Sequence, residues 1–187
     1  KKIKIGITGS MSSGKSTVAK IISRRVYPLF SADAEVKKFY NNKKFVNKIS
    51  KKLNIRSTNL LKNKIKIILK KDKSKIKIIE SLIHPEVRRQ MKRFMKKKAK
   101  IVVFEIPLLI ESNLMKYFDK IIFVNAHKTL RLKRYIKRGG DKEMFHILNK
   151  RQLSFKKKAK FCDVVLNNNK SLRVLKKNIK NIIKNYD

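Results

Sequence analysis

The sequence predicts an α/β fold, a five-stranded parallel sheet flanked by helices, on three observations. Short apolar runs alternate with longer stretches of helical periodicity through most of the 187 residues. Two of those runs, at 101–106 and 120–124, are almost continuously apolar, as strands covered by helices on both faces must be. The first run leads into Gly9-Ser10-Met11-Ser12-Ser13-Gly14-Lys15-Ser16-Thr17, which fits G-x-x-x-x-G-K-[ST]. That pattern joins a strand to a helix wherever a backbone loop cradles phosphate groups.

In chain order, the first strand covers 3–8, where Ile3, Ile5 and Ile7 alternate with Lys4, Gly6 and Thr8. Val18, Ile21 and Ile22 follow at helical spacing and mark the first helix. A short second strand is expected at 27–30, running into Ser31-Ala32-Asp33. From Asp33 to about Lys98 strand signals are lacking. Phe39, Phe45, Ile49 and Leu53, then Ile65, Ile68 and Leu69, recur at near-helical spacing, and His84-Pro85 reads as the start of a further helix. Residues 101–106 form a fully buried strand stopped by Pro107. Residues 120–124 and 163–166 supply the last two strands. Leu132 to Arg138 form a helix followed by Gly139-Gly140, and Leu172, Leu175, Ile179 and Ile182 mark a final amphipathic helix. The whole is expected to be one domain, with a core at 1–33 and 99–187 and a helical region at 34–98.

Ligands of such a sheet gather at the carboxyl ends of its strands. There Gly9 and Gly14 let the loop curl so that successive N–H groups face phosphate oxygens, and the helix start adds its positive end. Lys15 would reach the terminal phosphates and the Ser16 hydroxyl would ligate Mg²⁺. A nucleoside triphosphate is therefore the expected ligand. Asp33, just past the second strand, suits either a base that takes a proton from an attacking hydroxyl or a helix N-cap. Glu105 lies inside an apolar strand, where an unpaired charge is costly. It should meet Mg²⁺, a lysine or a helix N-terminus, or else form a purely structural ion pair. Glu111, in the loop beyond Pro107, could face the same cleft. Arg134 and Arg138 share one helix face and lead into Gly139-Gly140, an arrangement suited to clamping phosphates as a segment closes; in so basic a chain they equally suit a solvated helix. His84 fits a capping or packing role.

Composition narrows the rest. No stretch approaches the roughly 18 apolar residues of a membrane span, and no secretory signal pattern occurs. The single cysteine, Cys162, allows no internal disulfide, suits a reducing cytoplasm and reads as a small core filler. Lys+Arg 52 against Asp+Glu 12 gives a net charge of +40. The lysines are spread from end to end, outnumber arginine and occur without tryptophan. That argues for compositional drift in an A+T-rich genome over dedicated nucleic-acid binding, leaving weak, salt-sensitive attraction to polyanions. Lys96-Lys97-Lys98 and Lys156-Lys157-Lys158 are then solvated helix faces.

The order of these motifs resembles the dephospho-CoA kinase family of P-loop kinases over nearly the whole chain. Residues 6–17 look like its P-loop, Ser31-Ala32-Asp33 like its Asp-Ala-Asp element, and Ile83-His84-Pro85 like its His-Pro segment. Pro107-Leu108-Leu109-Ile110-Glu111 looks like its Pro-Leu-Leu-x-Glu loop. Arg134 to Arg138, Gln152 and Asp163-Val164-Val165-Leu166-Asn167-Asn168 look like its lid and its Asp…Asn strand end. The chain departs from the pattern at Ser31, which replaces an acid, and at Ser10 and Ser12, which stand at glycine-like positions. It departs also at Gly139-Gly140, where the lid looks shortened, and between Leu53 and Leu61, which looks trimmed.

The resemblance implies a P-loop kinase fold with a helical acceptor-binding region and a short lid at about 134–152. It implies transfer of the ATP γ-phosphoryl group to the ribose 3′-hydroxyl of dephospho-CoA, the last step of CoA biosynthesis, by a cytoplasmic monomer that uses Mg²⁺. Asp33, Lys15 and Arg138 would be catalytic, with Asp33 as the base. Gly9, Ser12, Ser13, Gly14, Lys15, Ser16, Thr17, Arg134, Arg138 and Asn168 would bind ATP, and Ser16 the metal. Thr8, Asp33, His84, Arg88, Pro107, Leu108 and Glu111 would bind the acceptor. Three alternatives stay open: another small-molecule or nucleoside monophosphate kinase on the same fold, a GTP-binding switch, and an RNA-binding protein with a vestigial loop. The second lacks any Asn-Lys-x-Asp segment.

Overall fold

The structure, a computed structural model, describes residues 2–24, 26–55, 61–72, 74–184 and 186, without the side chains at 61, 62 and 66. The expected trimming between Leu53 and Leu61 falls largely on 56–60, outside the described residues. The chain divides into two compact units, Lys1–Ser31 with Met95–Asp187, and Ala32–Phe94.

The first unit holds a five-stranded parallel sheet: β1 (Ile3–Gly9), β2 (Leu29–Ser31), β3 (Ile101–Glu105), β4 (Lys120–Asn125) and β5 (Val164–Asn167), in the order β2-β3-β1-β4-β5. Parallel strands need long crossovers, and helices supply them. On one face Ile5, Ile7, Val103, Ile122 and Val124 pack with Val18, Ala19 and Ile22 of α1 (Lys15–Ser23), and with Leu175, Ile179 and Ile183 of a C-terminal helix at Leu172–Ile183. Each such side chain, fully buried, contributes about 1.5–3 kcal/mol. Aromatic rings recur elsewhere in the sheet: Phe104 lies 5.8 Å from Phe30 and 5.3 Å from Phe118, centroid to centroid.

Two strands start later than expected, for local reasons. β2 begins at Leu29, after Pro28, whose nitrogen cannot donate although its carbonyl accepts from Val103 N–H at 2.9 Å. β5 begins at Val164, because Asp163 turns its carboxylate back to accept from Ile121 N–H at 2.8 Å.

The second unit is helical: α2 (Ala32–Phe39), α3 (Lys43–Leu53), α4 (Leu61–Lys71) and α5 (Lys75–Phe94). Ile49, Leu53, Ile65 and Ile79 form its core, and Asn42 caps α3 by accepting from Phe45 N–H at 3.2 Å. The expected helix start at His84-Pro85 is corrected, since α5 runs 20 residues with Pro85 inside it. Burial of Ile76 and Ile79 before the proline and of Met91 after it holds both halves to one axis. That burial offsets the missing N–H and the ring clash, which together cost about 3 kcal/mol. His84 is thus mid-helix and not a cap.

In the first unit the sheet also carries α6 (Lys128–Lys137), α7 (Lys142–Lys150), α8 (Phe155–Ala159) and α9, the C-terminal helix. Gly139-Gly140 closes α6. Gly139 takes φ 77 and donates to Ile136 O at 2.8 Å, while Gly140 donates to Tyr135 O at 3.0 Å, a left-handed helix closure. Asp141 then caps α7, whose Met144, Phe145 and Ile147 are buried.

Candidate active site

The loop between β1 and α1 passes close to its neighbours at two glycines. A Cβ on Gly14, at φ 99, would stand 2.2 Å from Asn168 Nδ2, and one on Gly9 would stand 2.2 Å from the Val124 carbonyl. Asn168 is buried and its Nδ2 donates to Ser13 O at 2.8 Å, which ties the loop to the end of β5. Ser12, where the resemblance expects a glycine-like residue, takes the left-handed φ 60 at a cost of roughly 1–2 kcal/mol. Ser10 gives its carbonyl to Lys15 Nζ at 2.9 Å. Ser13 Oγ is buried with no hydrogen-bond partner among the described residues. The first amides of α1, which have no intrahelical acceptor, complete the set of donors.

Three guanidinium groups close on the same loop. Arg134 donates from Nη1 to Ser13 O at 3.4 Å and from Nη2 to Asn168 O at 3.0 Å. Arg138 donates from Nη2 to Ser12 Oγ at 2.6 Å and from Nε to Arg134 O at 3.1 Å. Arg131 is the residue that sequence reasoning missed. It is buried, donating to Ala126 O at 3.1 Å, Asn149 Oδ1 at 2.8 Å and Met11 O at 3.3 Å. Its spacing before Arg134 was readable, but one more base in a basic helix carries no signal. Burial lowers the pKa of Arg131; burial and then the charge of Arg138 lower that of Arg134. Crowded cations of this kind favour an anion between them. A cavity of about 470 Å³ opens beside the loop, walled by Gly14, Thr17, Arg134, Arg138, Asn168 and Leu172.

Glu105 is buried, and among the described residues its partners are hydroxyl groups. Ser16 donates to Oε1 at 2.5 Å and Ser31 to Oε2 at 3.0 Å. An acid at 31 would set a second negative charge against Glu105, whereas a serine donates to it. Two residues beyond Ser31, Asp33 lies exposed in the first turn of α2, inside the helix and not at its cap. Thr8 is fully buried and donates to the Pro107 carbonyl at 3.0 Å, and the Leu108 carbonyl accepts from Ser112 N–H at 2.9 Å. In the helical unit His84 and Arg88 line one cavity of about 510 Å³ with Glu80 and Lys92.

Glu111 pairs with Lys158, Oε1 to Nζ 2.7 Å, and Lys158 is fully buried. The expectation that Lys156-Lys157-Lys158 is solvated throughout is corrected at its last member, which turns inward from α8 to a carboxylate. Cys162 is half-buried, not core; its Sγ donates to Lys158 O at 3.2 Å, and burial pushes its thiol up to about 11.

Among the described residues no cluster of three His, Cys, Asp or Glu could hold a metal by itself. The Ser16 hydroxyl at the start of α1 and the buried Glu105 carboxylate at the end of β3 nevertheless fit Mg²⁺, which takes few protein oxygens and completes its shell with other oxygen ligands.

The family model for dephospho-CoA kinase matches residues 3–173. The dephospho-CoA kinase of Fusobacterium nucleatum is 33% identical over 181 residues, covering 94% of each chain. A crystal structure from Thermus thermophilus superposes with a TM-score of 0.78 at 29% identity, over 100% of this chain and 98% of that one. The dephospho-CoA kinase of Campylobacter jejuni, at 24% identity and a TM-score of 0.65 over 100% and 98%, shares the fold.

Proposed function

The chain belongs to the dephospho-CoA kinase family, and from that premise we propose which of its groups carry each part of the transfer. It is a kinase of the last step of CoA biosynthesis, using ATP to phosphorylate dephospho-CoA. The observation that carries the assignment of groups is the convergence of Lys15, Arg134 and Arg138 on one strand–loop–helix turn.

Phosphoryl transfer asks for positioning and charge neutralisation more than for covalent chemistry. The loop from Gly9 to Thr17, with Ser12 and Ser13 on it, binds the ATP phosphates. Lys15 exchanges the Ser10 carbonyl for a phosphate oxygen, and Ser13 Oγ gains the partner it lacks. Arg134 and Arg138 move their guanidiniums from protein oxygens to phosphate oxygens, and Asn168 borders the base. Ser16 and Glu105 would hold Mg²⁺, which would supply further neutralisation of the phosphates.

Asp33 orients the 3′-hydroxyl of the acceptor ribose and takes its proton. Its support is its place in the chain, two residues past Ser31 at the carboxyl end of β2. The helical unit binds the acceptor, His84 and Arg88 lining its cavity. Pro107 and Leu108 border the acceptor from the loop after β3, and Thr8 acts by holding the Pro107 carbonyl. We place this activity in a cytoplasmic monomer; among the described residues no helix is long and apolar enough to cross a membrane.

The test is incubation with MgATP and dephospho-CoA beside a panel of nucleoside monophosphates, with Lys15→Ala as control. Dephospho-CoA alone should gain a phosphoryl group, and Lys15→Ala should fold yet show no turnover. Transfer to a monophosphate, or full activity in the variant, would overturn the reading.

A further inference from the structure

We propose that Glu111 is a positioning residue for the nucleotide: paired with Lys158 and holding the Leu153 amide, it fixes the segment through which Gln152 grips the tip of the phosphate loop. The proposal rests on the reading of that loop as the ATP site. It moves Glu111 from the acceptor to the nucleotide side of the reaction.

The path runs through hydrogen bonds, one peptide link and an ion pair. At the loop tip, Met11 N–H donates to Gln152 Oε1 at 3.1 Å, and Met11 O accepts from Arg131 Nη1 at 3.3 Å. The same Arg131 nitrogen donates to Asn149 Oδ1 at 2.8 Å. Both polar groups of Met11 are therefore tied to the end of α7, one directly through Gln152 and one through Arg131 and Asn149. The next residue along, Leu153, donates its N–H to Glu111 Oε1 at 3.1 Å. Lys158 Nζ stands 2.7 Å from that same oxygen.

The energetics give the pair its stiffness. The side chain of Lys158 is 0% exposed and that of Glu111 is 16% exposed. A buried ammonium without a counter-charge is expensive, so Lys158 holds the Glu111 side chain inward, where the same oxygen accepts from the Leu153 amide. The short connection between α7 and α8 is thus pinned at Leu153, one peptide away from the residue that holds the loop. Sub-ångström loosening there reaches the phosphates, since catalytic positioning tolerates little displacement.

The experiment compares Glu111→Gln, Gln152→Leu and the double variant Glu111→Gln with Lys158→Met. It reads MgATP affinity by displacement of a fluorescent ATP analogue without acceptor, and the Michaelis constant for dephospho-CoA separately. Glu111→Gln should weaken MgATP by about tenfold or more and leave the dephospho-CoA constant within about twofold. The double variant keeps an oxygen for Leu153 and removes the stranded charge, so it should recover most of that loss. Gln152→Leu leaves the buried pair intact and should weaken MgATP in the same way; it decides the matter if Glu111→Gln fails to fold. A raised dephospho-CoA constant with unchanged MgATP affinity overturns the proposal. So does parent-like MgATP affinity in Gln152→Leu, or a double variant no better than the single. A parent chain that binds no MgATP removes the loop reading and the proposal with it, a result distinct from the others.

Discussion

Arg138 spreads its guanidinium between the Ser12 hydroxyl and the Arg134 carbonyl, a fork geometry that an ammonium cannot copy. Arg138→Lys should therefore keep the charge and lose much of kcat, whereas Lys137→Ala, its neighbour, should change little. Steady-state kinetics check this, and equal small effects from both would reduce Arg138 to a share of the general field. Cys162 offers a second test. Burial and then the Asp163 charge raise its pKa to about 11, so the folded chain favours the neutral thiol. That contribution to stability is complete at neutral pH and is lost as pH rises from the unfolded value, about 8.5, toward the folded one. Alkylation followed by mass spectrometry should be slow at pH 8 and accelerate with a midpoint near 11; a midpoint near the ordinary value would refute the burial argument. Residues differ in how far they could be read from sequence. Lys15 and Ser16 were legible because the motif fixes their spacing. Arg131 and Lys158 were not, since in a chain of 52 bases a buried one looks like the rest, and only packing distinguishes them.

Strands and helices were legible wherever an apolar run or period ended on a local signal. The runs at β1, β3 and β4 reproduce the sequence pattern within a residue, because buried parallel strands are coded by continuous apolarity. The helix start at His84-Pro85 failed because proline was read as local punctuation, while apolar anchors at Ile76, Ile79 and Met91 set the element. Pro85→Ala restores an N–H aimed at the carbonyl four residues back and should stabilise the chain by about 1–3 kcal/mol. Part of that is offset by greater freedom of the unfolded chain, about 0.4–1 kcal/mol. Urea denaturation measures it, and a lower midpoint would show that the pyrrolidine ring makes contacts the helix needs. The segment after α6 was legible as a break but not as its kind. Gly139 in the left-handed region reads the same in sequence whether it opens a hinge or closes a helix.

Charge is a property of the whole molecule, and +40 over 187 residues guarantees attraction to polyanions. With the lysines dispersed and Lys158 withdrawn into a buried pair, RNA binding should be sequence-blind and mostly lost by about 0.2 M salt. Filter binding across a salt series checks this; a sequence-selective complex that survives such salt would reveal a dedicated surface. The parallel class of the sheet followed from alternating runs and periods, but the strand order did not, because pairing partners leave no mark in a single chain. That order has a temporal consequence. β1 sits in the middle of the sheet, and both its neighbours, β3 and β4, pair with it across about a hundred residues, as Ile3 with Ile101 and Ile5 with Lys120 show. At roughly 5–20 residues per second of synthesis, Ile3 waits some 5–20 s for its first ladder partner to be made. During that interval the nascent chain carries an apolar strand with both edges open, a target for holding chaperones and for misassociation. Closing so long a loop before contacts reward it also predicts slow refolding, on the millisecond-to-second scale of non-local topologies.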